Sequence, residues 1–122
     1  KIAYAEIQNR KGEFILPSST SISAAASGSI PADTRTSITD ADAVGAYPIS
    51  CFTWMIIYKE QNYSKRSKEQ AEATLDLLQY ILSEEAQNIT AEVHYAPLPA
   101  QAKELSMKNL KTVTYDGTPI LQ

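Results

Sequence analysis

The 122-residue sequence is poor in the residues that most often carry catalysis or metal binding. It has one cysteine, Cys51, and one histidine, His94, so neither an internal disulfide nor a site with two imidazole ligands can form within one chain. Its four glycines are all isolated, and no glycine-rich loop meets a helix start to hold a phosphate group. These absences exclude the metal and nucleotide sites that are easiest to read from a sequence.

Charge and hydropathy exclude two further classes of protein. The net charge is −3, with 11 basic and 14 acidic residues, whereas a nucleic-acid surface needs a basic stripe; we therefore expect no nucleic-acid partner. No apolar run approaches the ~20 residues that a membrane span requires. With 43% hydrophobic and 20% charged residues, the composition is that of an ordinary globular chain, and the length predicts one domain at most.

The start of the sequence carries an expectation of its own. No leader is visible, and the first residues, KIAYAEI (1–7), alternate in the way typical of a partly buried strand. Because no initiator methionine precedes them, we expect a processed or truncated chain.

The most apolar stretch of the chain is AYPISCFTWMIIYKEQ, residues 46–61. Large side chains occupy both alternating faces, which predicts a strand at about 47–59 that is buried on both faces between Ile49 and Ile57. Such a strand belongs in the middle of a layered α/β sheet. Yet the only other strand candidates after residue 7 are EFIL (13–16) and RTSIT (35–39), so the sequence provides few neighbours for it.

Three helices follow the predicted central strand, and a shorter one precedes it. The clearest begins after Ser67, which forms a capping box with Gln70. Its apolar stripe comprises Ala71, Leu75, Leu78 and Leu82, widened by Leu77 and Ile81. The other predictions are a helix over Ser19–Ser27 stopped by Gly28, one over Glu84–His94 with Ala86, Ile89 and Val93 inward, one from Pro99 to Leu110, and an Asp116–Gly117 turn.

Candidate reactive and charged residues each have a simpler explanation. A Cys51–His94 nucleophilic pair is conceivable, but Cys51 lies in an apolar run, where a buried cysteine acts as a small hydrophobic residue. Asp40 and Asp42 resemble part of a cation loop but lack the spacing of further ligands. Arg35 could hold an anion, although a surface ion pair is the commoner fate of such a residue.

Two short polar stretches lie where helices are predicted to start. The hydroxyls of SSTS (18–21) could meet an anion, and we favour helix capping instead. Glu84 and Glu85 stand at a predicted helix start, where their charge offsets the helix dipole without any catalytic role.

Three motifs, taken in order, resemble a known family. They are IAYAE (2–6), AYPIS-FTW (46–54) and YAPLP (95–99), and the last two at this separation are fairly specific. The sequence resembles the C-terminal part of the substrate-binding proteins of phosphate ABC transporters, which are two-lobed bacterial solute-binding proteins. It departs from the pattern at Cys51, where a small hydroxyl residue or glycine is expected, and at His94, where glycine often precedes the tyrosine. Selectivity among oxyanions stays open.

The resemblance implies a fold and a function. The fold would be α/β, the C-terminal portion of a two-lobed periplasmic-binding-protein-like structure. Residues 1–46 would form part of the second lobe with a connecting loop, and residues 47–122 part of the first lobe. Such proteins capture inorganic phosphate and deliver it to a membrane permease, in the periplasm or at the outer face of the cell membrane.

The same resemblance explains why the chain lacks recognisable chemistry. In the family, the ligands of phosphate come from loops upstream of the IAYAE strand. No position here matches those loops, so we expect no phosphate-binding, catalytic or metal-binding residue and no cofactor, and phosphate would bind through the absent N-terminal part. The strands that flank residues 47–59 would be absent as well.

Three further hypotheses follow from the same residues. Unpaired strand edges and exposed apolar surface predict that the isolated chain self-associates, most simply as a two-fold dimer. A self-contained small α/β protein-interaction domain without ligand chemistry is the alternative function. A hydrolase with Cys51 as its nucleophile is the remote one.

Overall fold

The computed structural model describes residues 3–121 and begins with a hairpin. Strands β1 (Ile7–Gln8) and β2 (Phe14–Ile15) are antiparallel, with Ile7 opposite Ile15. The return strand in EFIL is thus confirmed. The first strand is shorter than predicted, because residues 3–6 are irregular and residues 1–2 lie outside the described part.

Helix α1 (Ser19–Ala25) follows, and its start is the predicted one. The Ser18 side chain accepts from the Ser21 N–H, and the Ser21 side chain accepts from the Ser18 N–H, which forms a capping box. The helix ends two residues earlier than predicted, with Ala26 as its C-cap, and not at Gly28. The Ser27 hydroxyl donates to the Ala24 carbonyl at 2.7 Å and so supplies a partner for the last turn.

Helix α2 (Lys68–Leu82) is the longest element and confirms the strongest sequence pattern. Ser67 and Gln70 form the predicted capping box. Ala71 and Leu75 are fully buried, and Leu78 is 7% exposed. Leu77 is 55% exposed, so the stripe is narrower on that side than predicted.

The predicted helix over Glu84–His94 is divided. Helix α3 covers Glu84–Ile89, and a 3₁₀ turn covers Thr90–Val93 before His94 takes a left-handed conformation at φ 62°. The buried side chain of Gln87 donates to the Ile81 carbonyl and accepts from the Leu98 N–H at 2.7 Å. This bond holds the YAPLP segment against α3.

The inward face of α3 also differs from the prediction. Ile89 is 45% exposed and Val93 is 58% exposed, whereas Gln87 is 8% exposed. A polar residue therefore holds the inward position that the apolar spacing assigned to Ile89 and Val93.

Helix α4 (Ala100–Leu110) and a second hairpin close the chain. Pro99 is the N-cap of α4, one residue before the predicted position. Strands β3 (Thr114–Tyr115) and β4 (Thr118–Pro119) are antiparallel. The predicted turn between them is confirmed: Asp116 and Gly117 have φ angles of 50° and 72°, which suits the primed turn that tight hairpins favour.

The predicted central strand is wrong for this chain as it stands. No strand forms over residues 47–59, and an isolated parallel bridge between Glu60 and Thr114 is the nearest pairing. Both faces were expected to be buried, yet Ile49 is 67% exposed and Ile56 is 93% exposed. The reason is that a strand needs hydrogen-bonded neighbours, and the described residues offer none beside this stretch. RTSIT (35–39) is irregular as well.

The described residues pack into two small apolar clusters. The N-terminal cluster consists of Ala25, Ala26, Ile38 and Ala46, and the C-terminal cluster of Leu75, Leu78 and Val113. The structure thus combines helices with small antiparallel sheets, in agreement with an α/β class. Within residues 3–121, every helix is too short or too polar to span a bilayer.

Candidate functional site

The backbone of residues 51–57 has no hydrogen-bond partner within the described part of the chain. On the N-terminal side, the Thr39 hydroxyl donates to the Ser50 carbonyl, and on the C-terminal side the Gln61 side chain donates to the Tyr58 carbonyl. Between them, no N–H or C=O group bonds to another group of residues 3–121. We call residues 51–57 the unpaired segment.

A large groove runs beside the unpaired segment. Its volume is about 1220 Å3, and its other walls come from helix α2, the 3₁₀ turn, the YAPLP stretch, the loop at residues 33–37 and the end of helix α4. We call it the apolar groove, after the apolar side chains that line it: Trp54, Met55, Ile56, Leu78, Ile81, Leu82, Val93, Tyr95 and Leu98. Exposed apolar surface of this extent is typical of an interaction site.

The unpaired segment touches the N-terminal part of the chain through its aromatic residues. The Trp54 indole N–H donates to the Thr34 carbonyl at 3.3 Å, and its ring meets that of Phe52 edge to face. Phe52 in turn packs against the N-terminal cluster. Trp54 itself stays 47% exposed, so these contacts fix the segment without covering it.

Glu60 fastens the C-terminal end of this region to the β3–β4 hairpin. Its carboxylate accepts from the Asn62 and Asp116 N–H groups at 2.9 and 3.0 Å, from the Thr114 hydroxyl at 2.8 Å and from the Gly117 N–H at 3.1 Å. These donors, first among them the Asn62 N–H, lower the pKa of Glu60 from 4.5 to about 2. The result is a fixed turn beside the segment.

Asn9 performs a similar role in the N-terminal part. It is 6% exposed, and its amide group donates to the Glu13 carboxylate and to the Ala46 carbonyl. Its carbonyl oxygen accepts from the N–H groups of Lys11 and Glu13. The bond from Asn9, supported by the Gly45 N–H, lowers the pKa of Glu13. The first hairpin is thereby tied to the start of the 46–61 stretch.

The conceivable pair of Cys51 and His94 is not assembled. Both residues line the apolar groove, but no hydrogen bond joins them. Cys51 is exposed, which contradicts its prediction as a buried hydrophobic residue. Its exposure has the same cause as that of Ile56, because no described residue pairs beside the segment.

The acidic loop and Arg35 form surface ion pairs. Asp40 pairs with Arg10 at 3.3 Å, and Asp42 pairs with the Lys11 ammonium, which lowers the pKa of Asp42. Arg35 pairs with Asp33 at 3.0 Å, as the commoner alternative predicted. Among residues 3–121, no three His, Cys, Asp or Glu side chains lie grouped so that they could hold a metal ion.

The two polar helix starts act as caps. The hydroxyl of Ser18 is taken up by the capping box of α1, and Glu84 and Glu85 lie in the first turn of α3 behind the Ser83 cap.

Sequence reasoning missed the roles of Asn9, Glu60 and Gln87, because each depends on a partner distant in the chain or on a turn in three dimensions. Gln87 lies outside the apolar spacing of Ala86, Ile89 and Val93, so the pattern gave no signal for its burial.

Comparison with known proteins gives one consistent group of relatives. A phosphate-binding protein PstS of Xylella fastidiosa strain Temecula1 is 34% identical over 102 residues, which cover 81% of this chain and 27% of the relative. One from Methanocaldococcus jannaschii is 28% identical over 122 residues, covering 93% of this chain and 31% of the relative. No family profile and no solved structure matches. The resemblance seen in the sequence is confirmed, and the chain spans less than a third of the length of these relatives.

Proposed function

Because this chain is similar to phosphate-binding proteins over most of its length, we propose that it is the C-terminal part of a solute-binding protein that captures inorganic phosphate. That similarity is the observation that carries the proposal. The whole protein would bind phosphate without transforming it and deliver it to the membrane permease of an ABC transporter. It would work in the periplasm or at the outer face of the cell membrane.

We further propose that the chain contributes to two lobes. Residues 1–46 would belong to the second lobe with its connecting loop, and residues 47–122 to the first. The separation of the apolar residues into an N-terminal and a C-terminal cluster supports this division. The 46–61 stretch would then be the crossing between the lobes.

The phosphate ligands would lie outside this chain. An oxyanion in a cleft is held by several converging N–H and O–H donors and an unengaged cation. In the described part, Arg10 and Arg35 each pair with a carboxylate, and the Arg66 guanidinium bonds to the Tyr63 hydroxyl and to the Gln70 carbonyl. The engagement of these three arginines supports a binding site built from other segments.

Isothermal titration with phosphate at low ionic strength tests the proposal. We expect no saturable binding by the chain alone, and binding at one site when it is joined to the polypeptide encoded in frame before Lys1. A micromolar or tighter dissociation constant for the chain alone would contradict the location of the ligands. Failure of the joined protein to bind phosphate would refute the proposed function itself.

The alternative is a self-contained protein-interaction domain, and the exposed apolar groove is the observation that favours it. The oligomeric state of the isolated chain distinguishes this alternative from the solute-binding protein. If it is part of a larger protein, we expect it to self-associate at micromolar concentration, as a two-fold dimer that covers the groove. Light scattering after size exclusion measures this. A well-folded monomer would favour the interaction domain.

A further inference from the structure

Two stretches of the sequence match the acceptor motif for N-linked glycosylation, which is asparagine, any residue except proline, and then serine or threonine. They are NYS (62–64) and NIT (88–90). The motif alone is a weak signal, because a transferase can modify the asparagine only where the motif lies on an accessible surface loop. The local structure therefore decides which of the two motifs can serve.

The NYS motif lies in an irregular stretch just before helix α2. Asn62 and Ser64 are both exposed, whereas Tyr63 between them is half-buried. The Tyr63 ring meets that of Tyr58 edge to face, with 4.9 Å between the ring centroids. Its hydroxyl accepts from the Arg66 guanidinium at 2.8 Å. The middle residue thus anchors the motif, while the two residues that a transferase recognises stay accessible.

The backbone turns tightly at this motif. The Tyr63 N–H donates to the Gln61 carbonyl at 3.1 Å, so Asn62 is the central residue of a three-residue turn. The Arg66 N–H donates to the Tyr63 carbonyl at 2.9 Å and closes a second turn, in which Ser64 has a φ angle of 50°. Two successive turns therefore carry the motif at the surface, as in the loops that modifying enzymes can reach.

The side-chain amide of Asn62 has one contact that a transferase must replace. Its Nδ2 atom donates to the carboxylate of Asp116, which is itself exposed. Because both groups lie at the surface, water or an enzyme carboxylate can take the place of Asp116 at small net cost. Neither Asn62 nor Ser64 lines the apolar groove, so the motif stays accessible when the groove is occupied.

The NIT motif has a different local structure. Asn88 lies in helix α3, and Thr90 begins the 3₁₀ turn. Residues two apart on a helix do not face each other, so the asparagine and the threonine cannot enter one active site together while the helix is intact. The Thr90 hydroxyl is also engaged, because it donates to the Gln87 carbonyl at 2.6 Å. Although Asn88 is exposed, its modification requires α3 to open first.

We propose that Asn62 is an N-glycosylation acceptor in the folded chain and that Asn88 is not. The step joins the Nδ2 atom of Asn62 to the anomeric carbon of a lipid-linked oligosaccharide and releases one amide proton. The bond from that carbon to the lipid diphosphate breaks, and the diphosphate leaves with the electron pair. The inference rests on the proposed function only in placing the chain outside the cytoplasm, where such modification is found. It does not depend on phosphate as the ligand.

Glycan transfer to the folded chain in vitro tests the proposal. The monomeric chain is incubated with membranes that hold an oligosaccharyltransferase specific for the motif and its lipid-linked oligosaccharide, and mass spectrometry of tryptic peptides locates the glycan. We expect Asn62 to be modified at least about 10-fold faster than Asn88, because α3 must open before the NIT motif can be bound. In two unstructured synthetic peptides with one motif each, this advantage of Asn62 should disappear.

Two glycine variants separate recognition of the motif from flexibility of the loop. Ser64→Gly removes the hydroxyl and should abolish transfer to Asn62. The matched control Lys65→Gly keeps the motif and should stay within about threefold, since glycine suits the positive φ angle at both positions. Circular dichroism at 222 nm verifies that the helices persist in each variant.

The outcomes decide between the possibilities. Modification of Asn88 as fast as Asn62 in the folded chain, transfer that survives Ser64→Gly, or no transfer to the folded chain would overturn the proposal. A chain that is modified at Asn62, but whose joined protein binds no phosphate, would refute the proposed function and leave this inference standing.

Discussion

Two aliphatic truncations should differ sharply in cost, although the sequence predicts that both residues are buried. Leu75 is fully buried in the C-terminal cluster, so Leu75→Ala should lower the free energy of unfolding by about 2–5 kcal/mol. Ile56 is 93% exposed. With complete burial of such a side chain worth about 1.5–3 kcal/mol, its remaining contact accounts for roughly 0.2 kcal/mol, and Ile56→Ala should be nearly silent.

Urea unfolding of the monomeric chain, followed by circular dichroism, measures both costs. If Ile56 is covered once neighbouring strands are present, the cost of Ile56→Ala should rise to about 2–5 kcal/mol in the assembled protein, while that of Leu75→Ala stays in its range. A cost above about 2 kcal/mol for Ile56→Ala in the monomer would refute the reasoning. It would mean that the chain alone buries this side chain.

Three further changes test side-chain hydrogen bonds outside the unpaired segment. Asn9→Ala should cost about 1–3 kcal/mol in urea unfolding, because it leaves the Ala46 carbonyl and nearby N–H groups without partners; a cost under about 0.5 kcal/mol would contradict this. Ser67→Ala should cost about 0.5–2 kcal/mol by removing the cap of α2, and an unchanged midpoint would show that the capping box is not formed. Glu60 has a folded-state pKa of about 2, below its ordinary 4.5. Its ionised form therefore stabilises the fold above pH 4.5, and this stabilisation is lost as the pH falls through about 2. The difference in unfolding free energy between the unaltered chain and Glu60→Gln should shrink over that interval, and a constant difference would contradict the reasoning.

The helices could be predicted from sequence because their signals are local. Ser67 and Gln70 are three residues apart, and Ala71, Leu75 and Leu78 recur within one helical face. The Asp116–Gly117 turn is local in the same sense. Where a partner distant in sequence decides the outcome, as with Gln87 and Leu98, the apolar spacing alone gave the wrong inward residues.

The residues of the candidate site could be predicted from the sequence, but their exposure could not. The sequence identified residues 46–61 as the most apolar stretch and predicted a strand covered on both faces, and the structure leaves most of residues 51–60 exposed. The pattern of apolar side chains indicates the environment in which a strand would be stable. Its burial depends on neighbours that pattern analysis within one chain cannot supply.

The backbone makes this argument independently of the side chains. An exposed apolar residue is common on protein surfaces and by itself means little. Residues 51–57 are a different matter: no N–H or C=O of these seven residues bonds to another group within residues 3–121, and they lead into the parallel bridge of Glu60 with Thr114 and face the apolar groove. Water can satisfy those groups only while the apolar side chains beside them also stay in water, which costs free energy. A neighbouring strand removes both costs at once, because it satisfies the backbone and covers the side chains in the same step. An amphipathic helix laid in the groove would cover the side chains and leave the backbone edges unpaired, and for this reason strand pairing is the form of association that the unpaired segment favours.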